Sequence, residues 1–388
     1  MNILFVANFP IEDNKGGVQR VTATLAQAFL RLGHQVCYLS LGAGQTTTLN
    51  GVEQFFMPNN TSLPIIENRN FYKALLEERS IDVVINQAGI YGHVIQFLSE
   101  NHQAGIKLLT AHHNCIQCLQ ESYRNILMGS TYAKLLKYFD FPWMWSVLLG
   151  RNKRKYGTYF REAIKKSDQL VLLSPYFIPE LKTYLSSWPE HKVSAIYNPV
   201  PFEKQPQVLG HKENRLLYLG RVEYTQKQCN LLLPIWEQVQ LRFPNWHFDI
   251  VGGGSKLKEL KQLASDKGLR NVHFYGFTDP KPFLEKAKFL CMTSSFEGYG
   301  MVLVEAQAYG VVPIAFNSFS ALPSIISQNE TGILIPPFDV PSYIEQLVRL
   351  MGNEAEQSRM AEQAQQSITK FAPETIALQW VELINTLT

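Results

Sequence analysis

Short apolar runs alternate with amphipathic stretches along the first half of the chain. The apolar runs are rich in β-branched and aromatic residues and are predicted to be strands, whereas the stretches between them repeat apolar positions every three to four residues and are predicted to be helices. The strand runs are NILFVA, QVCYLS, VEQFFM, IDVVIN, KLLTA and QLVLLS, and the helical stretches include VQRVTATLAQAFLRLG and FYKALLEERS. Strands separated by helices indicate parallel βαβ units.

The second half repeats this alternation after the pattern lapses at residues 196–214, where three prolines cluster. Its strand runs are RLLYLG, WHFDIVGGG, VHFYGF, FLCMTS, VVPIAF and GILIPP. We therefore predict two doubly wound, Rossmann-like α/β domains, at residues 1–200 and 201–371, with a helix at about 372–388 packing back on the first. The default ligand site of such a pair is the cleft where the domains face each other.

Length and composition support two globular domains, because 46% of the 388 residues are hydrophobic. The first strand run starts at Asn2 with no charged segment before it, so we expect no signal peptide and a cytoplasmic protein. The strongly apolar stretches, such as FPWMWSVLLG, are about ten residues long, whereas a membrane-spanning helix needs about 20. The five cysteines are scattered and odd in number, which favours reduced thiols.

The net charge of +3 is too small to indicate a nucleic-acid partner, but its distribution is uneven. Residues 151–166 contain seven Lys and Arg against one acidic residue, Glu162. This segment is either an amphipathic core helix with a solvated basic face or an interfacial segment on an anionic membrane. In the second case Trp143 and Trp145 would lie at headgroup level, and the basic contacts would come from Arg151, Lys153, Arg154 and Lys155.

Two glutamates eight positions apart stand in the stretch SSFEGYGMVLVEAQAYG. A helix is predicted to begin near Gly300 and to end at Gly310, which places Glu297 in the preceding loop and Glu305 on the second helical turn. The helix-start amides around Gly298, Gly300 and Met301 could take phosphate oxygens, and the two carboxylates could take hydroxyl groups on either side. The alternative is a solvated loop glutamate and an ordinary glutamate near a helix N-terminus.

This stretch resembles the E-x7-E signature of retaining glycosyltransferases of the GT-B fold, particularly glycosyltransferase family 4. The resemblance extends with gaps from Asn2 to the last helix and is stronger in the second half. It implies that Glu297 contacts the donor sugar and that Glu305 contacts the ribose hydroxyls. The family includes many bacterial polysaccharide and lipopolysaccharide enzymes.

A second pair of charged residues lies in YLGRVEYTQKQ, where Arg221 follows a strand and Lys227 comes six positions later. Cations at the carboxyl end of a strand can neutralise a diphosphate leaving group, although many charged loops are simply solvated. In the family a Gly-Arg and a downstream Lys hold the diphosphate. Here the separation is one residue longer than the common five, and Gln228 replaces the glycine that usually follows the lysine.

Three glycine-rich segments extend the resemblance. Gly16 and Gly17 precede the first helix and match a Gly-Gly beside the donor phosphate in the family, whereas a simple turn is the alternative. The segment from Gly252 to Gly254 and the pair Gly276–Phe277 resemble nucleotide-facing loops. The first loop lacks G-x-G-x-x-G and a Walker lysine, which argues against dinucleotide binding and ATP hydrolysis.

The segment LLTAHHNCIQCLQ contains two histidines and two cysteines. Their spacing is poor for structural zinc and lacks a thioredoxin-like context, so Cys115 and Cys118 are expected to be ordinary, partly buried thiols. The family often has a histidine here, near the donor sugar and acceptor. His113, which precedes Asn114, matches it best, and His112 is the alternative.

These observations predict a retaining glycosyltransferase that moves a sugar from a UDP- or GDP-sugar to a glycan or lipid-linked acceptor in cell-surface polysaccharide synthesis. No cofactor is expected, and no metal either, because Arg221, Lys227 and helix amides could replace a cation. The alternatives are a nucleotide-sugar epimerase, a phosphorylase of the same fold, or a nonenzymatic sugar-binding module. The protein is expected in the cytoplasm or peripherally on the inner face of the membrane.

Overall fold

The computed structural model describes residues 1–12, 16–42, 44–59, 61–118, 142–200 and 212–387, with the backbone alone for Pro142 and Trp143. The chain divides into two compact units. The N-terminal unit comprises Met1–Pro201 and Phe371–Thr388, and the C-terminal unit comprises Phe202–Lys370. Most of the linker predicted at 196–214 lies outside the described residues.

An eight-stranded sheet forms the centre of the N-terminal unit, in the spatial order β3-β4-β2-β1-β5-β6-β7-β8. Its strands are β1 (Asn2–Ala7), β2 (Gln35–Ser40), β3 (Thr47–Leu49), β4 (Val52–Phe56), β5 (Val83–Asn86), β6 (Lys107–His112), β7 (Gln169–Leu172) and β8 (Val193–Ala195). All neighbouring strands are parallel except β3 and β4. The helices of this unit are α1 (Gly17–Arg31), α2 (Ile66–Glu78), α3 (Gly92–Glu100), α4 (Pro142–Lys166) and the C-terminal helix (Pro373–Thr386).

Both faces of this sheet are covered, which explains why its central strands are continuous apolar runs. Phe5 and Tyr38 pack on one face with Phe29 of α1, whereas Leu4 and Val6 pack on the other face with α2 and α3. The C-terminal helix contributes Trp380 and three further apolar side chains to the first of these clusters. The end of the chain therefore completes the core of the N-terminal unit.

The C-terminal unit contains a six-stranded parallel sheet in the order β11-β10-β9-β12-β13-β14. Its strands are β9 (Arg215–Leu219), β10 (His247–Val251), β11 (Val272–Gly276), β12 (Phe289–Met292), β13 (Val312–Phe316) and β14 (Ile333–Ile335). Its helices are α5 (Leu232–Arg242), α6 (Leu257–Asp266), α7 (Lys281–Lys286), α8 (Met301–Ala308), α9 (Leu322–Ile325), α10 (Val340–Met351) and α11 (Glu354–Ser367).

The predicted strand runs are all strands in the structure, with boundaries that differ by a few residues. The hydrophobic pattern did not identify β3 or β8, which are only three residues long. No helix within the described ranges combines the length and apolar composition needed to cross a bilayer.

Candidate active site

The loop after β9 is organised by a carboxylate of its own. Glu223 accepts hydrogen bonds from three successive backbone N–H groups, those of Thr225 (2.8 Å), Gln226 (3.0 Å) and Lys227 (2.7 Å). A carboxylate that accepts hydrogen bonds from adjacent backbone N–H groups stabilises a tight turn even where no helix or sheet hydrogen bonds are present. This turn fixes where the Lys227 side chain leaves the backbone.

Gln228 adopts a left-handed conformation, with φ of 51° and ψ of 39°. Glycine reaches this region without a steric penalty, whereas a residue with a Cβ reaches it at some energetic cost. The backbone thus has the shape for which glycine is best suited, although the sequence has glutamine. The replacement of the usual glycine by Gln228 therefore adds a side chain but keeps the left-handed turn.

Lys227 and Glu297 form an ion pair with 2.5 Å between Nζ and Oε1. Both side chains are largely buried, at 14% and 10% exposure. The loops that carry them are also joined by the backbone N–H of Ser295, which donates to the carbonyl of Gln226 at 2.7 Å. Two residues that lie 70 positions apart in the sequence are thus held in direct contact.

Gln226 links Arg221 to the same carboxylate. Its Oε1 accepts from Arg221 Nη2 at 2.9 Å, and its Nε2 donates to the Phe296 carbonyl at 3.2 Å and, more weakly, to Glu297 Oε2 at 3.4 Å. Arg221, Lys227 and Glu297, which the sequence identified separately, therefore belong to one hydrogen-bonded group. The sequence analysis did not predict the role of Gln226. The available signal was the loop between Arg221 and Lys227, which contains Gln226 and is one residue longer than is common in the family.

The turn between Glu297 and α8 has the form that the sequence predicted. Gly300 has φ of +86°, directly before the helix that begins at Met301. Glu305 lies on the second turn of α8 and is half-buried. Glu297, Gly298, Gly300 and Met301 lie in one loop and helix start, and the amides at a helix start can receive anionic oxygens.

Three loops at the carboxyl ends of β9, β10 and β11 pack closely backbone to backbone. Gly252 N–H donates to the Gly276 carbonyl at 2.7 Å, and Val222 N–H donates to the Gly253 carbonyl at 2.9 Å. A Cβ on Gly252 would lie 1.8 Å from the Gly220 carbonyl oxygen, and one on Gly254 would lie 2.3 Å from that of Val222. Only glycine permits this approach.

Phe277 follows this group of loops and is 89% exposed. A Cβ on Gly253 would lie 3.6 Å from the Phe277 Cβ, so the phenylalanine stands beside the predicted glycine loop. An exposed ring in this position can stack on a planar or apolar ligand surface.

A cavity of about 380 Å³ lies in the N-terminal unit at the carboxyl ends of β1, β5 and β6. Gly16, Gly17, His112 and His113 all line it. This is an edge at which open α/β sheets bind ligands. The first glycine loop and the histidine segment, which the sequence analysis treated separately, therefore share one cavity.

Both histidines of this cavity are neutral near pH 7. Burial lowers the pKa of His112 to about 3, assisted by the nearby charge of His113, and burial lowers the pKa of His113 to about 4. His113 Nε2 is hydrogen-bonded to the side-chain oxygen of Gln87, a residue that the sequence analysis did not identify. Gln87 directly follows β5, so its position at a strand end was the available signal.

One nitrogen of each ring has no hydrogen-bond partner within the described ranges. These buried atoms are Nε2 of His112 and Nδ1 of His113. An unpaired buried polar atom is costly, so these two nitrogens are exceptions to the usual pairing of buried polar groups. Both residues line the cavity, and the choice between them stays open.

The side chains of Cys115 and Cys118 are buried and face each other, with Cα atoms 5.6 Å apart. Cys37, Cys229 and Cys291 are free and buried, as expected, and for Cys115 and Cys118 the expectation of reduced thiols stays a prediction. A C-x-x-C spacing allows two sulfurs to meet across one turn, which the count of cysteines does not indicate. Among the residues that the structure describes, no three His, Cys, Asp or Glu side chains are grouped as metal ligands would be.

Two family models match the chain. The model for glycosyl transferases group 1 matches residues 200–367, and the model for glycosyltransferase family 4 matches residues 15–204. This chain is a glycosyltransferase. The two matches meet near residue 200, close to the division between the two units.

Relatives match the glycosyltransferase over nearly its whole length. An α-1,4-N-acetyl-D-galactosaminyltransferase of Campylobacter jejuni, named for an undecaprenol-diphosphate-linked acceptor, is 24% identical over 96% of this chain and 95% of its own. The lipopolysaccharide outer core galactosyltransferase WaaB superposes with a TM-score of 0.70 at 17% identity, covering 100% and 99% of the two chains. Anabaena Alr3699/HepE, solved with UDP and glucose, superposes with a TM-score of 0.69 at 15% identity, covering 100% of both. The predicted GT-B fold is confirmed.

Helix α4 of the glycosyltransferase presents a basic face. Six of its seven Lys and Arg are exposed, and its one acidic residue, Glu162, is half-buried and pairs with Lys166 at 3.1 Å. Trp145 is 6% exposed and so belongs to the core, which excludes it from a headgroup layer. The side chain of Trp143 lies outside the described residues.

Proposed function

We propose that this glycosyltransferase moves a sugar from a UDP- or GDP-sugar to a glycan or lipid-linked acceptor in cell-surface polysaccharide synthesis, with retention of anomeric configuration. The observation that carries the proposal is the group formed by Arg221, Lys227 and Glu297 next to the glycine turn before α8. It combines two cations and open helix amides for a diphosphate with a carboxylate for sugar hydroxyls.

Arg221 and Lys227 are assigned to the diphosphate. Negative charge increases on the departing nucleoside diphosphate as the glycosidic bond breaks, so cations placed there stabilise the transition state more than the ground state. The amides of Gly298, Gly300 and Met301 add hydrogen bonds to the same oxygens. We propose that turnover needs no metal ion, because these groups supply the neutralisation.

Donor binding would exchange the partners of the Lys227–Glu297 pair. The two side chains are largely buried, so neither charge can be left without a partner at low cost. A phosphate oxygen would replace Glu297 beside Lys227, and the sugar hydroxyls would replace Lys227 beside Glu297. The pair would therefore keep both groups in place before the donor arrives.

The remaining predicted residues are assigned by resemblance and position. Glu305 would hold the ribose hydroxyls, and the loop from Gly252 to Gly254 with Phe277 would contact the base. Gly16, Gly17 and His113 would serve the transferring sugar and its phosphate. The relative solved with UDP and glucose supports a uridine donor, and the relative named for an undecaprenol-linked acceptor supports a lipid-linked one.

The proposal is tested with a panel of nucleotide sugars, including UDP-glucose, UDP-galactose, their N-acetylamino forms and GDP-mannose. The donor should raise the melting temperature, because a ligand that binds only the folded state stabilises it. Release of nucleoside diphosphate then tests sugar transfer. Assignment of the new glycosidic bond as axial or equatorial by NMR, compared with the bond in the donor, tests retention.

Other outcomes of this panel would contradict the proposal. Conversion of the nucleotide sugar to its epimer without acceptor would indicate an epimerase. Turnover that depends on inorganic phosphate would indicate a phosphorylase. Binding without release of nucleoside diphosphate, in the presence of lipid-linked and glycan acceptors, would indicate a sugar-binding module.

Replacement of Glu305 by alanine should weaken nucleoside diphosphate binding. The substitution removes the carboxylate that would accept hydrogen bonds from the ribose hydroxyls. The loss should cost about 1.5 to 3 kcal/mol of binding free energy, which raises Kd roughly 10- to 150-fold. Isothermal titration calorimetry measures this change, and Glu362→Ala, at an exposed position on α11, is the control. Equal affinity of Glu305→Ala and the parent for both UDP and the donor would exclude Glu305 from the site.

The exposed basic face of α4 is assigned to an anionic membrane surface on the cytoplasmic side. Six exposed cations without an exposed carboxylate on the same described helix face complement anionic headgroups. Each surface Lys or Arg near such a membrane contributes about 1 kcal/mol, and salt screens the attraction. This contact would place the enzyme near a lipid-linked acceptor.

Neutralising four residues of that face should weaken membrane binding about 100- to 1,000-fold, since four contacts of about 1 kcal/mol are lost. The change is Arg151, Lys153, Arg154 and Lys155 to Gln. Cosedimentation with phosphatidylglycerol-containing vesicles measures it, and the parent should also dissociate as salt increases. A matched control with the same loss of charge is Lys258, Lys261, Lys267 and Arg270 to Gln on the C-terminal unit. If the parent does not bind anionic vesicles at low salt, the membrane assignment is wrong.

A further inference from the structure

The side-chain amide of Gln226 has chemically different partners on its two sides. Its Oε1 accepts a hydrogen bond from Arg221 Nη2 at 2.9 Å, and its Nε2 donates to the Phe296 carbonyl at 3.2 Å and to Glu297 Oε2 at 3.4 Å. A guanidinium can only donate hydrogen bonds, whereas a carbonyl and a carboxylate can only accept them. The two partners therefore fix which way the amide points. Glutamate in this position would lack the donor at neutral pH, and methionine would lack both donor and acceptor.

The backbone of Gln226 is held from two directions. Its N–H donates to the Glu223 carboxylate at 3.0 Å, and its carbonyl accepts from the Ser295 N–H at 2.7 Å and from Ser295 Oγ at 3.1 Å. The side chain is also half-buried. Because the backbone is already fixed, little further freedom is lost when the amide is held in one orientation. Gln226 is thus a rigid support for the groups that it contacts.

Arg221 differs from Gln226 because its side chain is exposed. An exposed arginine samples many rotamers, and ordering it costs conformational entropy. The hydrogen bond to Gln226 Oε1 restricts the guanidinium before any ligand arrives. A guanidinium has five N–H donors, so this bond leaves others for phosphate oxygens.

We propose that Gln226 is a positioning residue for sugar transfer, which holds the Arg221 guanidinium toward the departing diphosphate and stays hydrogen-bonded to Glu297 on its other side. The inference rests on the proposed function, because Gln226 acts through residues assigned there and contacts no substrate itself. Negative charge on the diphosphate is greatest in the transition state, so an ordered guanidinium contributes more to turnover than to donor binding. Loss of the amide therefore affects kcat and leaves the donor KM almost unchanged.

Gln226→Met tests this role, because methionine has a similar length and removes both amide groups. Its kcat should fall about tenfold, whereas the donor KM and the Kd of the nucleoside diphosphate should stay within about twofold of the parent. Gln262→Met is the matched control and should behave as the parent does. Gln262 is exposed on α6, and its amide donates to Asp266 at 2.8 Å.

A double-mutant cycle with Arg221 tests whether Gln226 acts through that residue. In the Arg221→Ala background, Gln226→Met should lower kcat by less than about twofold, since the group that it positions is already absent. A further loss of about tenfold in that background would show that the two residues act independently, and it would overturn the proposal.

Stability and affinity separate positioning from a purely structural role. Gln226→Met should melt within about 2 °C of the parent. A decrease of more than about 5 °C, failure to fold, or a loss of nucleoside diphosphate affinity that matches the loss of kcat would show that Gln226 only maintains the loop. Each of these results would overturn the proposal.

NMR of arginine side chains separates this inference from the proposed function, because it needs no turnover. The 15N signal of the Arg221 guanidinium, identified by its loss in Arg221→Lys, should have an order parameter that falls below about 0.6 in ligand-free Gln226→Met. If the parent transfers sugar and Gln226→Met matches its kcat, the positioning role is wrong and the function stands. If the parent transfers no sugar but the order of Arg221 depends on Gln226, the function is wrong and the positioning contact stands.

Discussion

Glu297→Gln should lower turnover about 100- to 1,000-fold while affinity for nucleoside diphosphate stays unchanged or increases. The amide still accepts the hydrogen bond from Lys227, so the loop keeps its shape, but the carboxylate charge beside the reacting sugar is lost. Without that carboxylate the Lys227 ammonium is more available to a phosphate oxygen, which explains the expected gain in nucleotide affinity.

The measurement is single-turnover release of nucleoside diphosphate at saturating donor, paired with calorimetric binding of the nucleoside diphosphate. Glu237→Gln is the matched control, because Glu237 pairs with Lys267 at 2.7 Å on the surface of the same unit. Parental turnover in Glu297→Gln would remove the residue from the chemistry. A loss of nucleotide affinity that matches the loss of turnover would indicate a binding role instead.

Gly252→Ala should destabilise the C-terminal unit by about 3 kcal/mol or more and abolish the donor-induced melting shift. The new Cβ would lie 1.8 Å from the Gly220 carbonyl oxygen, and Gly252 also has φ of +141°. Relief requires the backbone of Gly220 to move, although Gly220 is held by its N–H bond to Val251. Arg221 is the next residue, so the shift displaces a proposed diphosphate ligand.

Thermal unfolding followed by circular dichroism measures the stability change, which should lower the melting temperature by roughly 10 °C. Gly268→Ala is the control that separates backbone strain from a steric clash. Gly268 has φ of +60°, but no atom lies within 4 Å of its added Cβ. That control should cost only about 1 kcal/mol. Equal destabilisation by the two changes would show that the close backbone contact has no special energetic weight.

The hydrophobic pattern determined the secondary structure well because local spacing is what selects a strand or a helix. NILFVA and QVCYLS are β1 and β2, and the helix between Gly300 and Gly310 occurs where the caps placed it. The three-residue strands β3 and β8 were not predicted because neither lies in a longer apolar run, whereas the equally short β14 lies within GILIPP. Buried parallel strands and capped helices were therefore the predictable part of the fold.

Charged and glycine residues were visible in the sequence as candidates, but their grouping was not. That Lys227 meets Glu297, that Gln226 connects Arg221 to Glu297, and that Gly252 lies against Gly220 depend on which strands lie side by side. The order β10-β9-β12 brings these loops together, and no local period encodes that order.

Which side chains are buried was likewise decided by the tertiary structure. The sequence could not separate Trp145 in the core from a tryptophan at a membrane surface, since both follow the same amphipathic spacing. It also could not show that Gly16, Gly17 and two neutral histidines line one cavity, because the segments that carry them are far apart along the chain. The sequence by itself determined the elements and the residue types available for chemistry. Only the packing of parallel strands decided which of those residues meet, because contacts between strand ends depend on the order of the strands in the sheet.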